Sequence, residues 1–345
     1  MNLIKFALIG CGRISERHFE AVSQIPDAEI IACCDIIEER ALEAAKKYKI
    51  DKHYTDYRIM LDETQPDAVL ITSPSGLHAE MGIEAAKRGI HVITEKPMSI
   101  NLNQADSLIK ACDNYQVHLF VVKQNRLNPS IQLLKKAIDK GRFGRIFSAN
   151  ATVRWSRPQS YYDLAKWRGT WEFDGGAFLN QASHYFDLLY WLIGPVDSVM
   201  SMTATLNHQI EVEDIGSGLI RFRNGALGTV EVTMNTYPRN LEGSITVMGE
   251  FGTVKIGGIA VNKIEHWEFK DYDDDDRYLT DSSTMPSSVY GFGHTGFLSN
   301  VVEVLQGKAE PKTDGRDGRK SLEMILAMYE SAKTGKKIAL PFKQV

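Results

Sequence analysis

At 345 residues, with 43% hydrophobic and 24% charged residues, the chain has enough material for two globular domains. A net charge of −4 gives no general attraction to nucleic acid or to an acidic membrane surface, so an anionic ligand must be held by local donors. The four cysteines (Cys11, Cys33, Cys34, Cys112) lack metal-ligand spacing, the first apolar run breaks too early for a signal peptide, and no run reaches membrane-spanning length; the reading is a reduced, soluble, cytoplasmic protein.

Residues 5–9 form a compact apolar run, the pattern of a buried parallel strand. The run ends in Gly10-Cys11-Gly12-Arg13-Ile14-Ser15, and a helical stretch follows to about residue 24. This is the G-x-G-x-x-G pattern with Ser at the third site. The two glycines permit a tight turn and close backbone approach to a pyrophosphate at a helix N-terminus, and Ser15 is small enough for helix–strand packing. A second apolar run, 29–34, ends at Asp35, 23 residues after Gly12, where a dinucleotide fold places the acid that binds the adenosine ribose. Ile36 and Ile37 follow and offer no partner to a 2′-phosphate, so the predicted cofactor is NAD rather than NADP.

The alternation continues with a helix over 39–48, a strand over 68–72, the loop Ser73-Pro74-Ser75-Gly76-Leu77-His78, a helix over 79–88, and a strand over 91–94 that runs into Glu95-Lys96-Pro97. A helix near 103–115 and a strand over 117–122 lead to Lys123-Gln124-Asn125-Arg126. Repeated βαβ units predict a doubly wound parallel sheet with ligands at the carboxyl ends of its strands, where Ser73, His78, Lys96 and Gln124 stand. A lysine at such an end, beside a nicotinamide, can polarise a substrate hydroxyl and lower its pKa.

After an amphipathic helix over 129–140, strand patterns dominate: 146–155, 197–207, 214–223, 227–236, 242–248, 252–257 and 263–269. They predict a largely antiparallel open sheet, closed by a helix over 321–334 and a short strand within 337–342. The expected organisation is therefore a Rossmann domain over 1–123 and an α+β domain over 124–345. Between the strands, Gly175-Gly176 precedes a predicted helix on which Asn180, His184 and Asp187, at i, i+4 and i+7, share one face. The stretch from Arg154 to Trp171 concentrates aromatics, hydroxyls and the cations Arg154, Arg157, Lys166 and Arg168, a mixture suited to sugars and anions. A second polar turn carries Arg239. The acidic run 271–276 reads as a solvated loop, and Asp314-Gly315-Arg316-Asp317 as a turn, so no metal site is expected.

Gly10-x-Gly12, Thr72-x-Pro74…His78, Glu95-Lys96-Pro97 and Gly175-Gly176…His184-x-x-Asp187, in this order and spacing, resemble the glucose–fructose oxidoreductase / inositol dehydrogenase (Gfo/Idh/MocA) family along essentially the whole chain. Within it, the Arg154–Trp171 stretch, the Arg239 turn and 123–126 are similar to the UDP-N-acetylglucosaminuronate 3-dehydrogenases (WlbA/WbpB type) of bacterial polysaccharide (O-antigen) biosynthesis. That resemblance implies an enzyme that oxidises the C3 hydroxyl of a UDP-linked amino-sugar acid to the 3-keto sugar nucleotide. It also implies in-place recycling of NADH by 2-oxoglutarate, and a homotetramer (or homodimer) formed through the far face of the second sheet.

By the same resemblance, Lys96 bonds the substrate hydroxyl and His184 serves as base or proton relay. Asn180 stands where many members carry an aspartate; an amide cannot take the proton, so it orients the sugar or the imidazole. Asp187 is given no chemical step. NAD contacts are expected from Gly10, Gly12, Arg13, Ile14, Asp35, Ser73, His78, Glu95, Lys96, Gln124, Trp167 and Arg168. Substrate contacts are expected from Lys96, Asn125, Arg157, Tyr161, Arg168, Asn180, His184 and Arg239. Two other readings stay open: another sugar or polyol dehydrogenase of the family, and a non-catalytic NAD-bound sensor.

Overall fold

In the computed structural model, which describes residues 3–283 and 293–342, six short apolar segments pair side by side as parallel strands. These are β1 (Ile4–Ile9), β2 (Ala28–Cys34), β3 (Lys52–Tyr54), β4 (Ala68–Ile71), β5 (His91–Thr94) and β6 (Leu119–Val121), in the spatial order β3-β2-β1-β4-β5-β6. β4, inside the sheet, and β6, at its edge, are buried at every residue, which is why they read as continuous apolar runs. The strand order reverses between β1 and β4, and loops at the carboxyl ends there line the ligand crevice of such folds. Sequence patterning missed β3 and the helix Tyr57–Thr64; a three-residue strand written Lys-His-Tyr carries no apolar signature.

The second sheet has eight strands: β7 (Ile146–Arg154), β8 (Val196–Ala204), β9 (Ile215–Phe222), β10 (Leu227–Thr233), β11 (Glu242–Gly249), β12 (Gly252–Gly257), β13 (Lys263–Phe269) and β14 (Ile338–Ala339). Their order is β13-β12-β11-β7-β10-β9-β8-β14, antiparallel at every step except β7/β10, as the sequence predicts. Alternating burial along β9 and β10 marks a sheet covered on one face. Within this unit the helix Ser183–Ile193 packs on β7.

By internal contacts one unit comprises Met1–Val122 with His294–Arg319, and the other Lys123–Gly293 with Lys320–Val345. Sequence patterning kept 124–345 as one block; the structure returns 294–319 to the first unit. There Thr313 Oγ1 donates to the Val121 carbonyl at 2.8 Å and Asp314 bridges to Phe120, contacts that leave no mark on hydropathy.

Two local expectations change. The segment after Gly176 is not one helix: a π-helix, Ala177–Gln181, precedes the α-helix Ser183–Ile193, with Ala182 N–H donating five residues back to the Ala177 carbonyl at 2.8 Å. Asn180 and His184 therefore lie on different elements rather than on one α-helical face. The predicted turn at 314–317 is the capped start of the helix Gly315–Thr334, where the Asp314 carboxylate accepts the Asp317 N–H at 2.8 Å. The acidic run is tied to the protein's own cations, Lys140 to Asp273 at 2.7 Å and Arg142 to Asp276 at 2.6 Å. Among the described residues no helix is long and apolar enough to cross a membrane.

Candidate active site

The turn after β1 has little freedom at its first glycine. Gly10 has φ +95°, and a Cβ there would stand 2.8 Å from the Ser73 nitrogen. At Gly12 a Cβ would meet nothing within 4 Å, so that side of the turn is open to an incoming group. Ser15, at the third fingerprint site, is buried and donates to the Gly12 carbonyl at 2.5 Å, which locks the turn to the helix Ser15–Ser23. Asp35 at the end of β2 accepts the Cys11 N–H at 2.8 Å on one oxygen and the Ile37 N–H at 2.9 Å on the other. The carboxylate is thus pre-oriented by backbone and keeps lone pairs for a ribose hydroxyl. Open glycine, helix N-terminus and oriented acid fit NAD. Arg13 is exposed and Ile14 half-buried at this turn.

The loops after β4 and β5 are stitched together by His78. Its Nδ1 lies 2.8 Å from the Pro97 carbonyl and its Nε2 2.8 Å from that of Ser73. Burial pushes this imidazole below its ordinary pKa against the pull of both carbonyls. Both ring nitrogens are therefore engaged inside the protein, and His78 shapes the loops. Ser73 is half-buried, with its hydroxyl against the Met81 sulfur at 3.2 Å.

Glu95 and Lys96 directly follow β5. Lys96 is half-buried, and its N–H donates to the Glu95 carboxylate at 3.1 Å. The other Glu95 oxygen meets His18 Nε2 at 2.8 Å, and His294 Nε2 lies 4.0 Å from it. Burial alone would raise this carboxyl, but the His18 hydrogen bond and the charges of His18, His294 and Lys96 outweigh it and hold the group at about 2. Burial, with His18 beside it, pushes His294 down to about 3. The three groups have ligand atoms within 4.8 Å of one another. His18 and Glu95 are in direct hydrogen-bond contact at 2.8 Å, closer than two ligands spread tetrahedrally around a cation.

In the second unit, Arg126 binds Asp187 in a buried two-pronged ion pair at 2.7 and 2.8 Å, with Lys123 at 3.7 Å. Burial opposes ionisation of Asp187, but Lys123 and Arg126 overcome it and depress its pKa. Asp187 is thus a fixed counter-charge to Arg126 and Lys123. Gln124 and Asn125 differ: Gln124 Oε1 and Asn125 Oδ1 are buried with no hydrogen-bond partner among the described residues. Orphaned buried acceptors are costly unless a ligand donates to them.

His184 is buried in the first turn of Ser183–Ile193. Asn180, in the π turn, donates through Nδ2 to Asp174, whose other oxygen accepts the Gly169 N–H at 2.7 Å. Asp174 thereby links the π turn to the cationic stretch. There Arg168 lies over Tyr161 at 4.4 Å and Trp167 at 4.6 Å, and donates to the Tyr161 hydroxyl at 2.6 Å. Arg157 stands over Tyr161 at 5.4 Å and Trp155 at 5.2 Å, tethered to Asn240 Oδ1 at 3.2 Å. Arg157, Tyr161, Trp167 and Arg168 therefore form one cluster. Arg154 does not join it, being committed to Glu231 and Glu242 at 2.7 and 3.2 Å, and Arg239 is exposed on its turn. The sequence reading missed Asn240, Asp174, His18, His294, Glu213 and Tyr329.

A cavity of about 560 Å³, lined by Asp62, Asp67, Arg88 and His91 among others, lies at the amino ends of β4 and β5, away from these groups.

The chain matches the Gfo/Idh/MocA models, described as oxidoreductase family, NAD-binding Rossmann fold over residues 4–123, and oxidoreductase family, C-terminal alpha/beta domain over 135–340. It is similar to the WlbA dehydrogenase of Chromobacterium violaceum, solved with NADH and UDP-GlcNAcA, at 50% identity, covering 100% of this chain and 98% of that one with a TM-score of 0.95. The corresponding enzyme of Bordetella pertussis, solved with the same two ligands, is 49% identical over 99% of both chains with a TM-score of 0.96. The myo-inositol 2-dehydrogenase of Thermotoga maritima is 26% identical over 98% of both chains.

Proposed function

This chain belongs to the Gfo/Idh/MocA oxidoreductase family, and we propose that it oxidises the C3 hydroxyl of UDP-N-acetylglucosaminuronic acid to the 3-keto sugar nucleotide. The observation that carries the substrate is the 49–50% identity, over essentially full length, to two dehydrogenases solved with NADH and UDP-GlcNAcA. The Arg157–Tyr161–Arg168 cluster agrees with it. Two guanidiniums on aromatic faces suit a ligand with a carboxylate, a diphosphate and a flat base.

NAD⁺, when bound, supplies the hydride acceptor. The chain's own residues handle the proton and the developing charge. Lys96 hydrogen-bonds the C3 oxygen and stabilises it as an alkoxide; His184 takes the hydroxyl proton, so that the C3–O bond becomes a carbonyl as the C3 hydrogen leaves. Asn180, held by Asp174, orients the sugar. Gln124 and Asn125, with their unmet buried acceptors, face donors on the bound ligands. We further propose in-place recycling of NADH by 2-oxoglutarate, a homotetrameric or homodimeric assembly, and a role in polysaccharide (O-antigen) sugar synthesis.

The test uses purified protein, UDP-N-acetylglucosaminuronic acid and 2-oxoglutarate, with mass spectrometry of the products. Loss of two hydrogens from the sugar nucleotide, matched by 2-hydroxyglutarate, is the expected result. Oxidation only with added NAD⁺ removes the recycling, and no oxidation under either condition removes the substrate.

A further inference from the structure

The π turn that carries Asn180 begins without a cap of its own. Its N-cap is Gly176, which has no side chain, and the first amides of any helix lack partners inside it. In this chain those amides are satisfied from two distant segments. Ala177 N–H donates to the Glu213 carbonyl at 3.2 Å, and Phe178 N–H to Glu213 Oε1 at 2.8 Å. Leu179 N–H donates to the Tyr329 hydroxyl at 3.1 Å, and that hydroxyl in turn donates to Glu213 Oε1 at 2.8 Å. Gly176 is the other half of the arrangement: a Cβ there would fall 1.5 Å from Glu213 Oε2, so the glycine makes room for the borrowed carboxyl. Glu213 is only 3% exposed, and nothing in the proposed chemistry uses it.

We infer that Glu213 and Tyr329 are positioning residues. Together they cap the turn Ala177–Gln181 from outside and so fix where Asn180 is presented and where the helix bearing His184 starts. The inference rests on the sugar-oxidising reading above for its kinetic consequence, but not for its geometry. A turn fixed by three external bonds presents an amide within a fraction of an ångström. Releasing one bond loosens that placement, and misplacement far from the chemistry is enough to slow turnover.

Tyr329→Phe is the sharpest probe, because it removes one oxygen and leaves the ring. Its kcat on UDP-N-acetylglucosaminuronic acid is expected to fall about tenfold with KM moving much less. The loss should be smaller in an Asn180→Ala background, since the part of it that acts through Asn180 is then already gone. Independently of any substrate, hydrogen exchange of the Leu179 amide should accelerate in Tyr329→Phe, and that of Phe178 in Glu213→Ala, with Glu213→Gln restoring part of the protection. A folded Tyr329→Phe protein with parent kcat overturns the inference. So does a loss that multiplies with that of Asn180→Ala, as a diffuse structural defect would, or a Leu179 amide that exchanges at the parent rate. If the parent itself fails to turn the sugar nucleotide over, the substrate reading falls and the exchange measurements alone decide the cap.

Discussion

Two buried glutamates anchor the two regions that carry the proposed chemistry, and they are pushed in opposite directions. Glu95, beside Lys96, is 6% exposed and held at about 2; Glu213, beneath the turn bearing Asn180, is 3% exposed and pushed up to about 7. Burial raises both. The difference lies in the neighbours. Glu95 faces His18, His294 and the charge of Lys96. Glu213 is offered the amides of Phe178 and of its own backbone and the Tyr329 phenol, none of them a charge, with the carboxylate of Asp174 opposing its ionisation. Depth in the protein therefore does not decide whether a carboxyl is ionised; the partners do. The β5 end is an ionic anchor, whereas the carboxyl under the π turn keeps its proton up to about pH 7.

Lys96→Ala gives the largest expected effect and asks whether the ionic anchor serves chemistry or only stability. The kcat should fall about a thousandfold while NAD binding, followed by fluorescence titration, persists. Normal turnover would remove the role assigned to Lys96. Replacing His18 by Leu strips Glu95 of its hydrogen-bonded partner, so urea unfolding should lose about 4 kcal/mol, the scale of an uncompensated buried charge. An unchanged midpoint would mean that His18 is not what keeps Glu95 ionised.

For Glu213 the sign runs the other way. Its carboxyl rises from 4.5 in the unfolded chain to about 7 in the folded one, so the folded state holds its proton longer and stability falls as pH climbs through that window. Glu213→Gln should flatten the decline, the two proteins diverging by at most about 3 kcal/mol between pH 4.5 and 8. Parallel stability curves would place Glu213 with Glu95 and end the contrast. Arg168→Ala is the mildest: KM for the sugar nucleotide should rise about tenfold with kcat nearly kept, because uniform binding is lost.

The two regions also differ in how far they can be read from sequence. The first sheet is legible almost strand by strand, because parallel strands buried on both faces are written as apolar runs and its cofactor turn needs glycine at positions 10 and 12. Lys96 and Asp35 are visible because they end such runs. The π turn is not. Phe178, Gln181 and Tyr185 keep a helical period through the break at Ala182, and what fixes the break arrives from Glu213 and Tyr329, 35 and 150 residues from the amides they cap. His294 reaches Glu95 from the stretch 294–319, which returns to the first unit after β13 and before the last strand of the second sheet, β14. Local pattern carries strands and turns; it does not carry the long-range partners that set charge and backbone geometry.

The most direct test of the proposed chemistry uses UDP-N-acetylglucosaminuronic acid carrying deuterium at C3, with mass spectrometry of the sugar nucleotide and of the cofactor after a single turnover. The account predicts that the sugar loses its deuterium and that the reduced cofactor gains it. Oxidised sugar that still carries the label, or a cofactor reduced without it, would contradict oxidation at C3.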